Sequence, residues 1–198
     1  MMFSFSKPSA ETIAALIERQ AACDFTYRSI GATLDGCAPP GYDRDHNRVC
    51  LGSGEAVFAA ACEAVRGWRM FPPGWTEIYP SGAQIAAGTV VGMMAHCYGG
   101  WWLNACRIVY VIDEDGPGRR FGFAYGTLPE HVECGEERFC IEWQRADDSV
   151  WYDLRAFSRP RHPLVRMAYP LARRLQRRFA RDSLAAMMTE CQAVLKEH

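Results

Sequence analysis

From position 75 to 157 the chain is a series of short segments in which apolar and polar residues alternate, separated by glycine, proline and aspartate. A period of two marks strands, and it predicts six of them, over 75–79, 88–97, 101–113, 119–126, 136–145 and 150–157. The connections Asp115-Gly116-Pro117-Gly118 and Ala146-Asp147-Asp148-Ser149 are too short for the crossover helix that parallel pairing needs, so an antiparallel meander is expected. Outside this region the period becomes that of a helix. Ile13, Leu16 and Ile17 after Pro8-Ser9 predict a capped helix over 10–22, with Glu11 near its positive end. Residues 31–47, rich in Gly, Pro and Asp, predict a loop. Ser53 is the expected cap of a second helix carrying Val57, Phe58, Ala61, Ala64, Val65 and Trp68 on one face, stopped by Phe71-Pro72-Pro73-Gly74. After His162-Pro163, an apolar stripe of Leu164, Ala168, Leu171, Leu175, Phe179, Met187, Cys191 and Val194 predicts a long final helix. Its stripe is broken near Ser183, and Pro170 should start or kink it.

Helix, six or seven antiparallel strands, then one long helix is the order of an α+β helix-grip domain, in which a curved sheet wraps the last helix. A cavity between sheet and helix follows, of a kind that takes apolar small molecules. Residues 1–24 are expected to form an N-terminal helical appendage and 25–198 a single domain.

Composition agrees with one packed domain: 198 residues, 49% hydrophobic and 23% charged. Residues 1–8 lack a basic region followed by a long apolar one, which points to a cytoplasmic protein. Nine cysteines without a C-x-x-C pair indicate reduced, mostly buried thiols and not a disulfide framework or zinc ribbon. The stretch Ile78 to Cys106 contains no Asp, Glu, Lys or Arg, yet glycines and Pro80 divide it, and His96 and Asn104 are costly in lipid. Two strands meeting at Gly99-Gly100, covered by protein or ligand, fit it better than an integral membrane segment.

The net charge of −1 excludes less than its size suggests. Nine arginines and no acid lie between Leu154 and Arg181, whereas residues 108–153 hold eleven acids against four arginines. The expectation for Arg173, Arg174, Arg177, Arg178 and Arg181 is a solvated helix face with some bridges to acidic sheet loops. Docking of that face to an anionic lipid surface or nucleic acid is the functional alternative.

One segment is specific. Phe121-Gly122-Phe123-Ala124-Tyr125-Gly126-Thr127-Leu128-Pro129-Glu130-His131, followed by Gly135-Glu136-Glu137-Arg138-Phe139, resembles the signature of the family catalogued as domain of unknown function nineteen-ninety. Phe25-Thr26-Tyr27 with Gly31-Ala32-Thr33, Gly52-Ser53-Gly54, the stretch from Trp68 to Trp75, Asn104-Ala105-Cys106-Arg107 and Phe157-Ser158-Arg159-Pro160 extend the resemblance from about Phe25 to Met188. A departure is Glu130 before His131, where glycine is more usual, which restricts the local turn. The resemblance implies no established reaction; it implies an architecture like the Bet v 1 and START-like group of lipid-binding, hormone-binding and cyclase domains.

The chemistry-bearing residues gather around this signature. Phe121, Phe123 and Tyr125 share one strand face, and Gly122, Ala124 and Gly126 the other, where a neighbour can approach closely. Glu137 shares a face with Phe139, Ile141 and Trp143. It either pairs with an arginine such as Arg107, Arg155 or Arg159, or contacts a ligand and moves a proton with a burial-raised pKa. His131, Glu136 and Glu137 are therefore the catalytic candidates, with Tyr125 assisting. Asn104, Arg107, Tyr125, Thr127, Glu137, Trp143 and Arg159 are the candidate ligand contacts, and Trp101 and Tyr110 could line the same cavity. The spacing of His131, Glu133, Cys134, Glu136 and Glu137 does not match a helical zinc site, and hydrolase, phosphate-loop and dinucleotide motifs are missing, so no metal or cofactor is expected. Three functions compete: a carrier or sensor of a small apolar or amphipathic ligand, an enzyme using these groups on the same fold, and a polyanion-docking module.

Overall fold

The computed structural model describes residues 2–116 and 118–195. In chain order the elements are β1 (Met2–Ser4), α1 (Ala10–Gln20), β2 (Asp43–Ser53), α2 (Glu55–Arg66), β3 (Thr76–Tyr79), β4 (Val90–Cys97), β5 (Gly100–Asp115), β6 (Gly118–Thr127), β7 (Glu133–Gln144), β8 (Ser149–Pro160), α3 (Pro163–Met167) and α4 (Tyr169–Leu195). The six expected strands are all present. They form an antiparallel sheet in the order β2-β8-β7-β6-β5-β4-β3, with β1 added beside the start of β5. Tyr98 and Gly99, both at positive φ, make the tight turn between β4 and β5, which places the uncharged stretch from Val90 onward in one hairpin, while Ile78 and Tyr79 end β3.

β2 corrects the expected loop over 31–47. Asp43, Asp45 and Asn47 alternate with Arg44, His46 and Arg48, so this edge strand is polar on both faces and carries no hydrophobic period to read. Ser53 ends β2, paired with Ser149, and does not cap α2; that place belongs to Gly54 at φ 89°, without a side-chain bond. Trp68 lies beyond α2 at φ 58° and donates from Nε1 to the Ala83 carbonyl at 2.7 Å.

The sheet has two covered faces. Against the concave one pack α2 and α4, with Val57, Phe58, Ala61, Val65, Phe123, Phe139, Ile141 and Met187 in one buried cluster. Ser183, which interrupts the α4 stripe, is fully buried and bonds Tyr152 Oη at 3.0 Å, so a polar pair replaces an apolar contact. The side chains of Leu164 and Val194 lie outside the described residues. On the convex face α1 buries Ile13 and Leu16 against Met94, Leu103 and Ala105. The loop after α1 covers the rest: Tyr27 lies over Gly126, where a Cβ would collide with its hydroxyl. Between Ile108 and Tyr110 the β5 register shifts, so Ile108 joins the concave core while Tyr110 bonds Thr33 Oγ1 on the convex side at 2.6 Å.

Candidate functional site

Between α4 and the concave face lies a cavity of about 730 Å³. The pleat sends alternate residues into it: Met93 and Ala95 from β4, Trp102 and Asn104 from β5, Tyr125 and Thr127 from β6, Glu133 and Glu137 from β7, Leu154, Ala156 and Ser158 from β8. α4 closes the other side with Leu171, Leu175, Gln176 and Phe179. Most of the wall is apolar.

Tyr125 and Glu137 are directly opposite across β6 and β7, and Tyr125 Oη donates to Glu137 Oε2 at 2.8 Å. No arginine, lysine or histidine among the described residues forms an ion pair with Glu137. Burial pushes its carboxyl up to about 7, against the lowering effect of the Tyr125 bond, with Glu133 and Asp45 adding repulsion. Burial also raises the Tyr125 hydroxyl well above its ordinary value. A carboxyl that exchanges a proton near neutrality beside a phenol can serve as acid or base.

The other polar end is built by the turn after β6. Asn104, 2% exposed, accepts the Val132 backbone N–H on Oδ1 at 3.2 Å. His131 Nδ1 accepts the Glu133 N–H at 2.9 Å, and burial brings the ring's pKa down to about 3, so it is neutral. Gln176 Nε2 donates to Glu133 Oε2 at 2.5 Å and to Ser158 Oγ at 3.0 Å, yet burial still raises Glu133. Glu130 is not among the non-glycine positions at positive φ in the described residues, so the turn accepts a side chain there.

Of the residues singled out in the sequence, the structure brings Asn104, Tyr125, Thr127, His131 and Glu137 to the cavity wall. The functional groups of the others turn elsewhere. Arg107 turns to the convex side and donates to the Gln20 and Ala21 carbonyls at 3.1 and 2.7 Å. Arg159 lies over the Tyr42 ring at 4.5 Å, and Trp143 packs on Phe58 and donates to Asp148 at 2.8 Å. Glu136 points its carboxylate to the convex side, accepting from Tyr27 Oη and Gly31 N at 2.8 Å, from Thr33 N at 3.0 Å and from Thr33 Oγ1. Cys134 also faces that side, so the five clustered side chains are divided between two faces. Among the described residues no group of three or more His, Cys, Asp or Glu could hold a metal ion.

Trp102, not its neighbour Trp101, is the cavity residue; Trp101 stacks on His96 at 4.7 Å on the far face. Parity with Asn104 on the same strand carries that information. Gln176 is marked only as the uncharged polar residue between Leu175 and Phe179 on the α4 stripe. Along α4, Arg173 leaves the solvated face to pair with Asp45 at 2.6 Å, Arg178 and Arg181 reach Asp182, and Arg174 and Arg177 are exposed. No helix among the described residues is long and apolar enough to cross a membrane.

An antiparallel sheet curled round one long helix, with a cavity between them, defines the helix-grip fold. A hypothetical protein from Helicobacter pylori shares the fold at TM-score 0.52 and 12% identity, over 84% of this chain and 98% of that one. The Zhui aromatase/cyclase from Streptomyces sp. R1128 does so at TM-score 0.52 and 12% identity, over 76% and 94%. Sequence gives the family: the one described as Domain of unknown function (DUF1990) matches residues 26–186. A UPF0548 protein from Dictyostelium discoideum is 36% identical over 205 residues, 94% of each chain, and one from Deinococcus radiodurans is 36% identical over 192 residues, 91% of this chain and 94% of that one. The chain belongs to the DUF1990 (UPF0548) family.

Proposed function

We propose that the protein binds a small apolar or amphipathic molecule between the curved sheet and α4. The observation that carries this reading is the cavity of about 730 Å³, with an apolar wall and a few inward-facing polar groups, the usual make-up of a small-molecule site. Native mass spectrometry of the purified protein, together with titration of the uncharged dye N-phenyl-1-naphthylamine, tests it. Ala156 lines the cavity beside Glu137, so Ala156→Phe should abolish dye binding while the protein stays folded. A wild-type protein that carries no ligand and takes up no dye overturns the reading.

A second reading is supported by the Tyr125–Glu137 pair: acid-base chemistry on the bound molecule. Under it, Glu137→Gln retains the ligand and loses turnover. Glu136, among the catalytic candidates, has its carboxylate fully engaged on the opposite face.

A further inference from the structure

Among the described residues, two hydrogen-bond donors on the cavity wall have no protein partner. Asn104 is 2% exposed and lines the cavity, and its Oδ1 is occupied by Val132 N–H; among the described residues nothing bonds its Nδ2. His131 lies next to Val132 in the chain and also lines the cavity. Its Nδ1 accepts a backbone N–H, so the neutral ring must carry its proton on Nε2, which likewise has no partner among the described residues. A donor on the cavity wall without a protein partner is free to bond an acceptor on a ligand, a bond worth about 0.5–1.5 kcal/mol net. The nearby groups limit the charge of that acceptor. Glu133 and, further along β7, Glu137 line the same cavity; of the cations, Arg161 is engaged by the Pro129 carbonyl, Arg173 by Asp45 and Arg181 by Asp182, and Arg177, which borders the cavity from α4, is exposed to solvent. An anion would face two carboxyls, and a cation would face two donors.

We propose that Asn104 Nδ2 and His131 Nε2 together hold an uncharged carbonyl-type oxygen of the ligand. This rests on the cavity-binding reading and adds the chemical class of the head group. The test is displacement of N-phenyl-1-naphthylamine by 2-nonanone, nonane, nonanoate and nonylamine. The ketone should bind about tenfold more tightly than the other three. Asn104→Asp, measured with the new carboxyl ionised, keeps an acceptor for Val132 N–H but removes the donor; it should erase the ketone's advantage over nonane. An infrared carbonyl stretch of the wild-type-bound ketone, lower than in alkane solvent, reads the same contact without any variant. A ketone that binds no better than nonane, or more weakly than the acid or the amine, or one whose stretch is unshifted, overturns the head-group inference while the cavity reading stands. If neither dye nor any probe binds, both fall.

Discussion

Glu136 and Glu137 are consecutive on β7 and serve opposite faces of the sheet. Glu136 is 2% exposed and accepts hydrogen bonds from Tyr27, Gly31 and Thr33, so it fastens the loop before β2 to the convex face. Glu137 receives a single side-chain bond, from Tyr125, and borders the cavity. The pleat separates a carboxylate satisfied by four donors from one held by a single phenol.

The two should therefore respond differently to the same substitution. Glu136→Gln removes the charge and turns an amide donor toward other donors, so it is expected to cost about 2–4 kcal/mol in urea unfolding. It should also open residues 26–42 to limited proteolysis. Glu137→Gln keeps an oxygen for Tyr125 and leaves that loop protected.

Glu137 makes stability depend on pH. Its folded pKa, about 7, lies above the ordinary carboxyl value of 4.5, so the folded state binds the proton more tightly. The resulting stabilisation is complete below about pH 4.5 and is lost as pH rises through 7. Urea melts at pH 5 and pH 8 should show Glu137→Gln equal to wild type at the lower pH. At the higher pH it should be more stable by up to about 3 kcal/mol, less to the extent that cavity water solvates the group.

His131 has the opposite sign. Burial brings its folded pKa from 6.5 to about 3, so its contribution is present above pH 6.5 and is lost as pH falls toward 3. His131→Phe should flatten the acid limb of the stability profile by up to about 3 kcal/mol between pH 6.5 and 4. A profile unchanged in that window places the ring in water.

What the sequence revealed and what it hid follow one rule. Strands with one apolar face, such as β6 and β7, are legible to within a few residues at either end because the core enforces their period. β2 is not, because both of its faces are polar and its pairing with β8 joins residues about a hundred positions apart. The cavity residues Asn104, Tyr125 and Glu137 stand out as polar groups on apolar strands. Arg107 satisfies the same criterion and yet faces α1, since parity along β5 cannot say which face is concave. Tyr110 is displaced by a bulge that no local residue pattern announces.

Tyr27 couples Gly126 to Glu136 on the convex face. A Cβ at position 126 collides with the Tyr27 hydroxyl, and that same hydroxyl donates to Glu136 Oε2 at 2.8 Å. Gly126→Ala should therefore displace Tyr27 and break one of the four bonds that Glu136 → Gln weakens together. Each variant alone is expected to lose about 2 kcal/mol or more, but the losses share an origin and cannot add. In a double-mutant cycle the pair should fall short of the sum by about 1 kcal/mol or more. Additive losses would mean that Tyr27 is held by its packing on Phe157, at 5.5 Å between ring centres, and not by the carboxylate.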